Sequence, residues 1–122
     1  MKSILTVTAL VEGVTGLAFA IMPSLVVSML LGTSLTDISA ILIARLAGAA
    51  LITIAIACWL SRKNTQSAVI VKAMLGYNVF SIVLLVYALL VEQISGPGLW
   101  PAVLLHFGLL VWCLSSLRQR MQ

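Results

Sequence analysis

Four long apolar runs, separated by short polar or Gly/Pro-rich segments, limit what this chain can fold into. The chain has 122 residues, of which 62% are hydrophobic and only 8% are charged. A soluble domain of this size keeps much of its surface in water and cannot hide so many apolar side chains. A membrane-spanning helix needs roughly 20 apolar residues. The pattern therefore predicts an all-α polytopic membrane protein, a single four-transmembrane-helix bundle over residues 1–122.

The spans and the segments between them follow from turn and cap residues. Pro23 suits the first turn of a helix, because its missing N–H would have no partner there. We therefore predict a short extra helix, or a kinked extension of the first span, at about residues 24–31. Thr36 or Asp37 is a plausible N-cap for the second span. The predicted spans are residues 4–22, 37–60, 67–91 and 99–117.

The basic residues predict the orientation of the bundle. They lie on the face shared by the two termini and the central loop, and they are Lys2, Arg62, Lys63, Lys72, Arg118 and Arg120. The opposite turns carry only Asp37 and Glu92 at their edges. This asymmetry is the positive-inside pattern, so both termini are expected in the cytoplasm. It also accounts for the formal net charge of +4 without a nucleic-acid partner.

Each predicted span brings a strongly polar side chain to the middle of the membrane. From the rise of a helix, Glu12 lies about 12 Å and Arg45 about 18–20 Å from the cytoplasmic side. Tyr77, Asn78 and His106 all lie at a depth of ~15 Å from that side. A charge at this depth costs about 2.5–3.5 kcal/mol even on insertion scales, and such residues face the bundle interior and pair.

These depths predict an ion pair between Glu12 and Arg45, which have opposite charges and lie on consecutive spans. Their backbones differ by ~7 Å in depth, a gap that an arginine side chain can bridge. Asn78, Tyr77 and His106 would supply the remaining hydrogen bonds. The predicted site therefore comprises these five residues, as a ligand-binding site or as a path for a proton or ion.

Small residues are expected to let the first two spans approach closely. Small side chains four residues apart allow close backbone packing of membrane helices. The predicted helix-packing residues are Gly13, Gly16, Ala40, Ala44 and Gly48.

Two functional hypotheses remain open at this point. In the first, the polar cluster binds a lipophilic small molecule such as a quinone or lipid, or passes a proton or small solute. Arg45 would then meet an anionic or carbonyl group, and His106 could exchange a proton, since histidine titrates near physiological pH. In the alternative, the protein is a non-catalytic accessory or assembly subunit, and the Glu12–Arg45 network only locks helix packing.

Motifs of common enzymes are absent from the sequence. It contains no HExxH, Walker or GxSxG motif, so we expect no catalytic residues, no metal and no cofactor. An enzyme is a weaker option, limited to chemistry on a membrane-dissolved substrate. The expected partners are the lipid bilayer, a lipophilic small molecule, and a second copy or a larger membrane complex. Nucleic acid is not among them.

Several segments resemble small, uncharacterised bacterial inner-membrane proteins with four spans. They are "LVEGVTGLAF", "ARLAGAAL", "YN" at residues 77–78 and "LWPAVLLH". The layout is also distantly similar to that of DoxX-like four-helix membrane proteins. The resemblance implies the fold and a multi-pass location in the bacterial inner membrane, and it implies no activity.

Overall fold

The computed structural model describes residues 1–65 and 67–121 and contains five helices in this part of the chain. Four of these helices are long and apolar enough to cross a membrane. Within the described residues there is no β-strand. The prediction of an all-α fold with four long helices and one short one is confirmed at this level. The helices are α1 (Lys2–Ile21), α2 (Pro23–Leu31), α3 (Ile38–Ser61), α4 (Ser67–Leu90) and α5 (Leu99–Met121).

The short helix α2 begins and ends at residues suited to those positions. Pro23 occupies its first turn and forces the break after α1. Gly32 ends it in the left-handed region, with φ at 71°, where a residue without Cβ is favoured. Asp37 then caps α3, and its carboxylate accepts a 3.0 Å hydrogen bond from the Ala40 amide. Of the two N-caps proposed from the sequence, the structure uses Asp37.

Helices α1 and α3 pack as an antiparallel pair with their backbones in contact. A Cβ added to Gly48 would lie 2.7 Å from the Gly16 carbonyl oxygen, and one added to Gly16 would lie 2.8 Å from the Gly48 carbonyl oxygen. Either distance is too short for a real side chain. Ala44 is buried along the same face of α3. Glycine at both positions is therefore what allows this approach.

A buried core fills one end of the bundle, next to the central loop and the chain termini. It joins α1, α3, α4 and α5, and its members are Ile4, Leu5, Ala9, Cys58, Val71, Met74, Leu109 and Cys113. Above this core, toward α2, the α1–α3 pair and the α4–α5 pair separate. The space between them is the candidate site.

The segment before α5 fastens α2 to the rest of the bundle. The Gly96 amide donates a 2.9 Å hydrogen bond to the Leu30 carbonyl, and the Gly98 amide donates a 2.7 Å bond to the Met29 carbonyl. These carbonyls at the end of α2 have no partner within the helix, so the bonds satisfy them. The result is that α2 lies across the opening between the two helix pairs.

Candidate functional site

Asn78 on α4 is the centre of a buried polar chain. Its side chain is completely buried, and its Nδ2 donates a 2.7 Å hydrogen bond to the Met74 carbonyl one turn earlier. Its Oδ1 lies 2.9 Å from His106 Nδ1 on α5. Because a carbonyl oxygen can only accept, His106 Nδ1 carries the hydrogen of this bond. In a neutral imidazole, this leaves Nε2 as a free acceptor.

Tyr77 continues the chain from α4 to α1. Its hydroxyl donates a 3.1 Å hydrogen bond to Glu12 Oε2. Its ring meets the His106 ring edge to face, with centroids 5.6 Å apart and planes at 75°. The structure thus brings together four of the five predicted site residues, from three helices.

Arg45, the fifth predicted residue, lies outside this cluster, and the expected ion pair with Glu12 is not formed. Glu12 is 2% exposed and receives its hydrogen bond from Tyr77. Arg45 is exposed on the outer surface of α3. The predicted pairing, and with it the placement of Arg45 at the site, is therefore corrected.

Two features of helix geometry separate the charges. Ala44 faces α1, and the next residue is rotated by about 100° around a helix axis of 3.6 residues per turn, which turns Arg45 away from α1. The close approach of Gly16 and Gly48 also sets the vertical register of the pair. Gly13 lies against Ala55 and Gly48 against Ala20, so Glu12 and Arg45 are about 15 Å apart along the axis rather than at the smaller offset expected from the span boundaries.

A cavity of about 510 Å³ lies beside the polar chain. Its polar lining includes Glu12, Tyr77, His106, Thr15 and Ser81. The rest of its wall is apolar and comes from α1, α2, α3, α4 and α5. The main apolar contributors are Val11, Phe19, Met22, Leu25, Val26, Met29, Leu30, Leu51, Leu84, Leu85 and Leu105.

Sequence reasoning predicted the short helix α2 but missed that it would form part of this wall. The short helix carries an apolar stretch, PSLVVSMLL, which is equally compatible with contact to lipid or to protein. Ser81, by contrast, follows Asn78 by three residues on α4, a spacing that puts the two side chains on the same helix face. Estimated depth in the membrane identified Glu12, Tyr77 and His106 of the polar lining, whereas the apolar lining required the packing of α2.

Two buried polar atoms of α1 have no hydrogen-bond partner within the described residues: Thr8 Oγ1 and Glu12 Oε1. Thr8 lies one helical turn from Glu12 on α1 and is 1% exposed. A helical threonine often bonds its own backbone, as Thr6 does to the Lys2 carbonyl at 2.9 Å. For this reason the sequence did not identify Thr8 as a candidate residue. Thr8 extends the polar region of α1.

The chemistry that the cavity offers is mainly hydrogen-bond acceptance. Tyr77 uses its proton toward Glu12, and His106 uses its Nδ1–H toward Asn78. At Tyr77 and His106 the groups left for a bound molecule are His106 Nε2 and the remaining lone pairs of the Tyr77 oxygen, while the hydroxyls of Thr15 and Ser81 in the lining can both donate and accept. No arginine or lysine lines this cavity. The polar group of a ligand beside Tyr77 and His106 therefore binds best if it carries a donor hydrogen.

The fold and the site define a small protein of multi-pass membrane type, with four long apolar helices around an internal polar cluster. Residues 6–122 match the family model DUF8292, described as a domain of unknown function. The match covers nearly the whole chain, and the protein belongs to this family. No curated protein and no solved structure matches the chain.

Proposed function

We propose that the protein binds a lipophilic small molecule whose polar end carries a hydrogen-bond donor, such as a hydroxyl. One observation carries the proposal: an apolar cavity ends at His106 and Tyr77, whose own donor hydrogens are already used inside the protein. A site that is largely apolar with a few converging polar groups is the usual form of a small-molecule pocket.

The polarity of the ligand differs from the one expected from the sequence. With Arg45 at the site, an anionic or carbonyl group would have been favoured. Arg45 lies elsewhere, and the acidic Glu12 is the only formally charged residue of the lining. An anion would meet no compensating charge, whereas an alcohol or phenol could donate to His106 Nε2.

The size of the cavity agrees with binding of a molecule of drug or short-lipid size. Its 510 Å³ falls within the range of about 300–1,000 Å³ that is usual for such sites. The packed core lies between the cavity and the central-loop end of the bundle. This arrangement favours a binding site with one mouth over a continuous path, so passage of a proton or solute is the weaker form of the proposal.

The test compares 4-nonylphenol with its methyl ether, 4-nonylanisole, in which a methyl group replaces the donor hydrogen. Purified protein in a mild detergent is heated with each, and unfolding is followed by circular dichroism at 222 nm. We expect the phenol to raise Tm in a concentration-dependent way and the ether to have little effect, since only binding to the native state stabilises it. Equal shifts with both ligands would refute the requirement for a donor.

Matched tyrosine variants locate the effect. Tyr77→Phe removes the hydroxyl beside the cavity and keeps the ring, whereas Tyr87→Phe makes the same change at an exposed position of α4 outside the lining. We expect the phenol-dependent shift to fall in the first variant and to persist in the second. A shift that survives Tyr77→Phe unchanged would mean that the Tyr77 hydroxyl takes no part in binding the phenol.

An accessory or assembly role is the second candidate, favoured by the hydrogen bonds at both ends of the Asn78 amide. Both ends of its amide are bonded, to the Met74 carbonyl and to His106, as expected for a polar lock between α4 and α5. If no lipophilic ligand shifts Tm, this role becomes the better explanation. The protein would then be examined for a membrane partner.

We further propose a multi-pass location in the bacterial inner membrane with both termini in the cytoplasm. The four apolar helices support the membrane location, and the basic residues at the termini and central loop support the orientation. Catalysis is not part of the proposal.

A further inference from the structure

A second cavity of about 520 Å³ lies at the opposite end of the bundle from α2, between α4 and α5. We propose that it binds an anionic phospholipid, with the phosphate at its basic rim and an acyl chain along its apolar floor. The proposal does not depend on the cavity beside Glu12. The lining residues are Ala68, Lys72, Leu114, Leu117, Arg118 and Arg120.

All charged residues of this groove are basic. Lys72 lies on α4, and Arg118 and Arg120 lie on the last turn of α5. All three side chains are exposed and free to meet a ligand from the membrane side. Two of them are arginines, whose planar guanidinium groups can bind a phosphate through two parallel hydrogen bonds. The rim therefore has charge complementary to a phosphodiester.

The register between α4 and α5 places these charges along the groove. The bond between Asn78 and His106 sets these two residues at the same level of the antiparallel pair. Counting from it, Lys72 lies about 9 Å deeper in the bundle than Arg118. A lysine at that depth extends its amine along its apolar stem toward the surface. Its charge can therefore approach the phosphate that the arginines hold.

The floor of the groove distinguishes a lipid from a free anion. Leu114, Leu117 and Ala68 are apolar and, by the same count along the helices, lie between the level of Lys72 and the level of the two arginines. An inorganic phosphate would use the rim only, whereas a phospholipid also covers these side chains with hydrocarbon. Basic pockets between membrane helices are known to bind anionic head groups in this manner.

Native mass spectrometry of the full-length protein with an equimolar mixture of dioleoylphosphatidylglycerol and dioleoylphosphatidylcholine tests the proposal. The two lipids share their chains and differ in net charge. We expect adducts with the anionic lipid to exceed those with the zwitterionic lipid by about tenfold. Equal binding of the two lipids would overturn the proposal.

Two triple variants with the same loss of charge separate the groove from general surface electrostatics. The groove variant is Lys72→Gln/Arg118→Gln/Arg120→Gln. The control is Lys2→Gln/Arg62→Gln/Lys63→Gln, at the same end of the bundle but outside the lining. The preference should fall to near equality in the groove variant and persist in the control, with helicity unchanged in both.

Two further results would overturn the inference. One is an equal loss of preference in the control variant, which would mean that the lipid responds to overall charge. The other is complete displacement of the anionic lipid by millimolar inorganic phosphate, which would mean that the apolar floor contributes nothing.

Discussion

Glu12 is held inside the bundle by a single hydrogen bond from Tyr77, without a basic partner among the described residues. The sequence suggested that Arg45 would balance its charge, yet Arg45 lies on the outer surface of α3. Arg45 is seven residues from the start of α3, about 10 Å along the axis. In a membrane, a side chain at that distance from the helix end can extend its charged group toward the nearer interface.

At the scale of this residue, we predict that Arg45→Gln changes the free energy of unfolding by no more than about 0.5 kcal/mol, as for surface substitutions without partners. Tyr77→Phe should lower the free energy of unfolding by about 1 kcal/mol, because it removes the hydrogen bond to Glu12. Both are measured by denaturant titration in mixed micelles. A loss of about 3–5 kcal/mol for Arg45→Gln would instead indicate a buried ion pair.

Helices pair in this protein where glycine removes the side chain. Gly16 and Gly48 bring the backbones of α1 and α3 into contact, and this contact determines which residues of the two helices share a level. Gly76 and Gly108, on α4 and α5, have no atom within 4 Å of a built Cβ. Glycine is therefore required at Gly16 and Gly48, between α1 and α3, but is replaceable at Gly76 and Gly108, on α4 and α5.

We expect alanine to have different effects at Gly48, where the helices touch, and at Gly108, where there is open space. Gly48→Ala should destabilise the protein by about 1–3 kcal/mol, because the new methyl group overlaps backbone atoms of α1. Gly108→Ala should be neutral or stabilising by up to about 1 kcal/mol, since alanine reduces the entropy of the unfolded chain. Equal effects of the two variants in the same unfolding assay would mean that α1 and α3 do not touch at Gly48.

The whole molecule consists of two antiparallel helix pairs joined by a packed core at one end and separated by a cavity at the other. Helix α2 and the segment around Gly96 cover the open end. The amides of Gly96 and Gly98 in that segment donate hydrogen bonds to the carbonyls of Leu30 and Met29 in α2. A ligand entering the cavity has to pass between these elements or from the surrounding lipid.

Orientation in the membrane is tested on the whole protein with single cysteines in the connecting segments. Ser34→Cys should react with a membrane-impermeant maleimide on intact cells, and Asn64→Cys only after permeabilisation, because basic loops remain in the cytoplasm. The native Cys58 and Cys113 are 0% and 1% exposed and should give little background. Labelling of Asn64→Cys on intact cells would reverse the proposed orientation.

The amino-acid sequence alone predicts the class of fold and most of the residues in the buried polar cluster. Apolar runs of spanning length leave few alternatives to helices, because in lipid every backbone group must be bonded within its own segment. Pro23, Gly32 and Asp37 each act through local backbone chemistry, so the ends of α2 and the start of α3 were also predictable.

Tertiary structure decided which polar residues meet. Glu12, Tyr77, Asn78 and His106 converge, whereas Arg45 does not, because the Gly16–Gly48 contact sets both the rotation and the level of α3 against α1. Hydropathy along a chain reports depth in a membrane but contains no information about rotation around a helix that is apolar on all sides. The cavity and its covering by α2 depend on the same relative placement of helices, which only packing supplies.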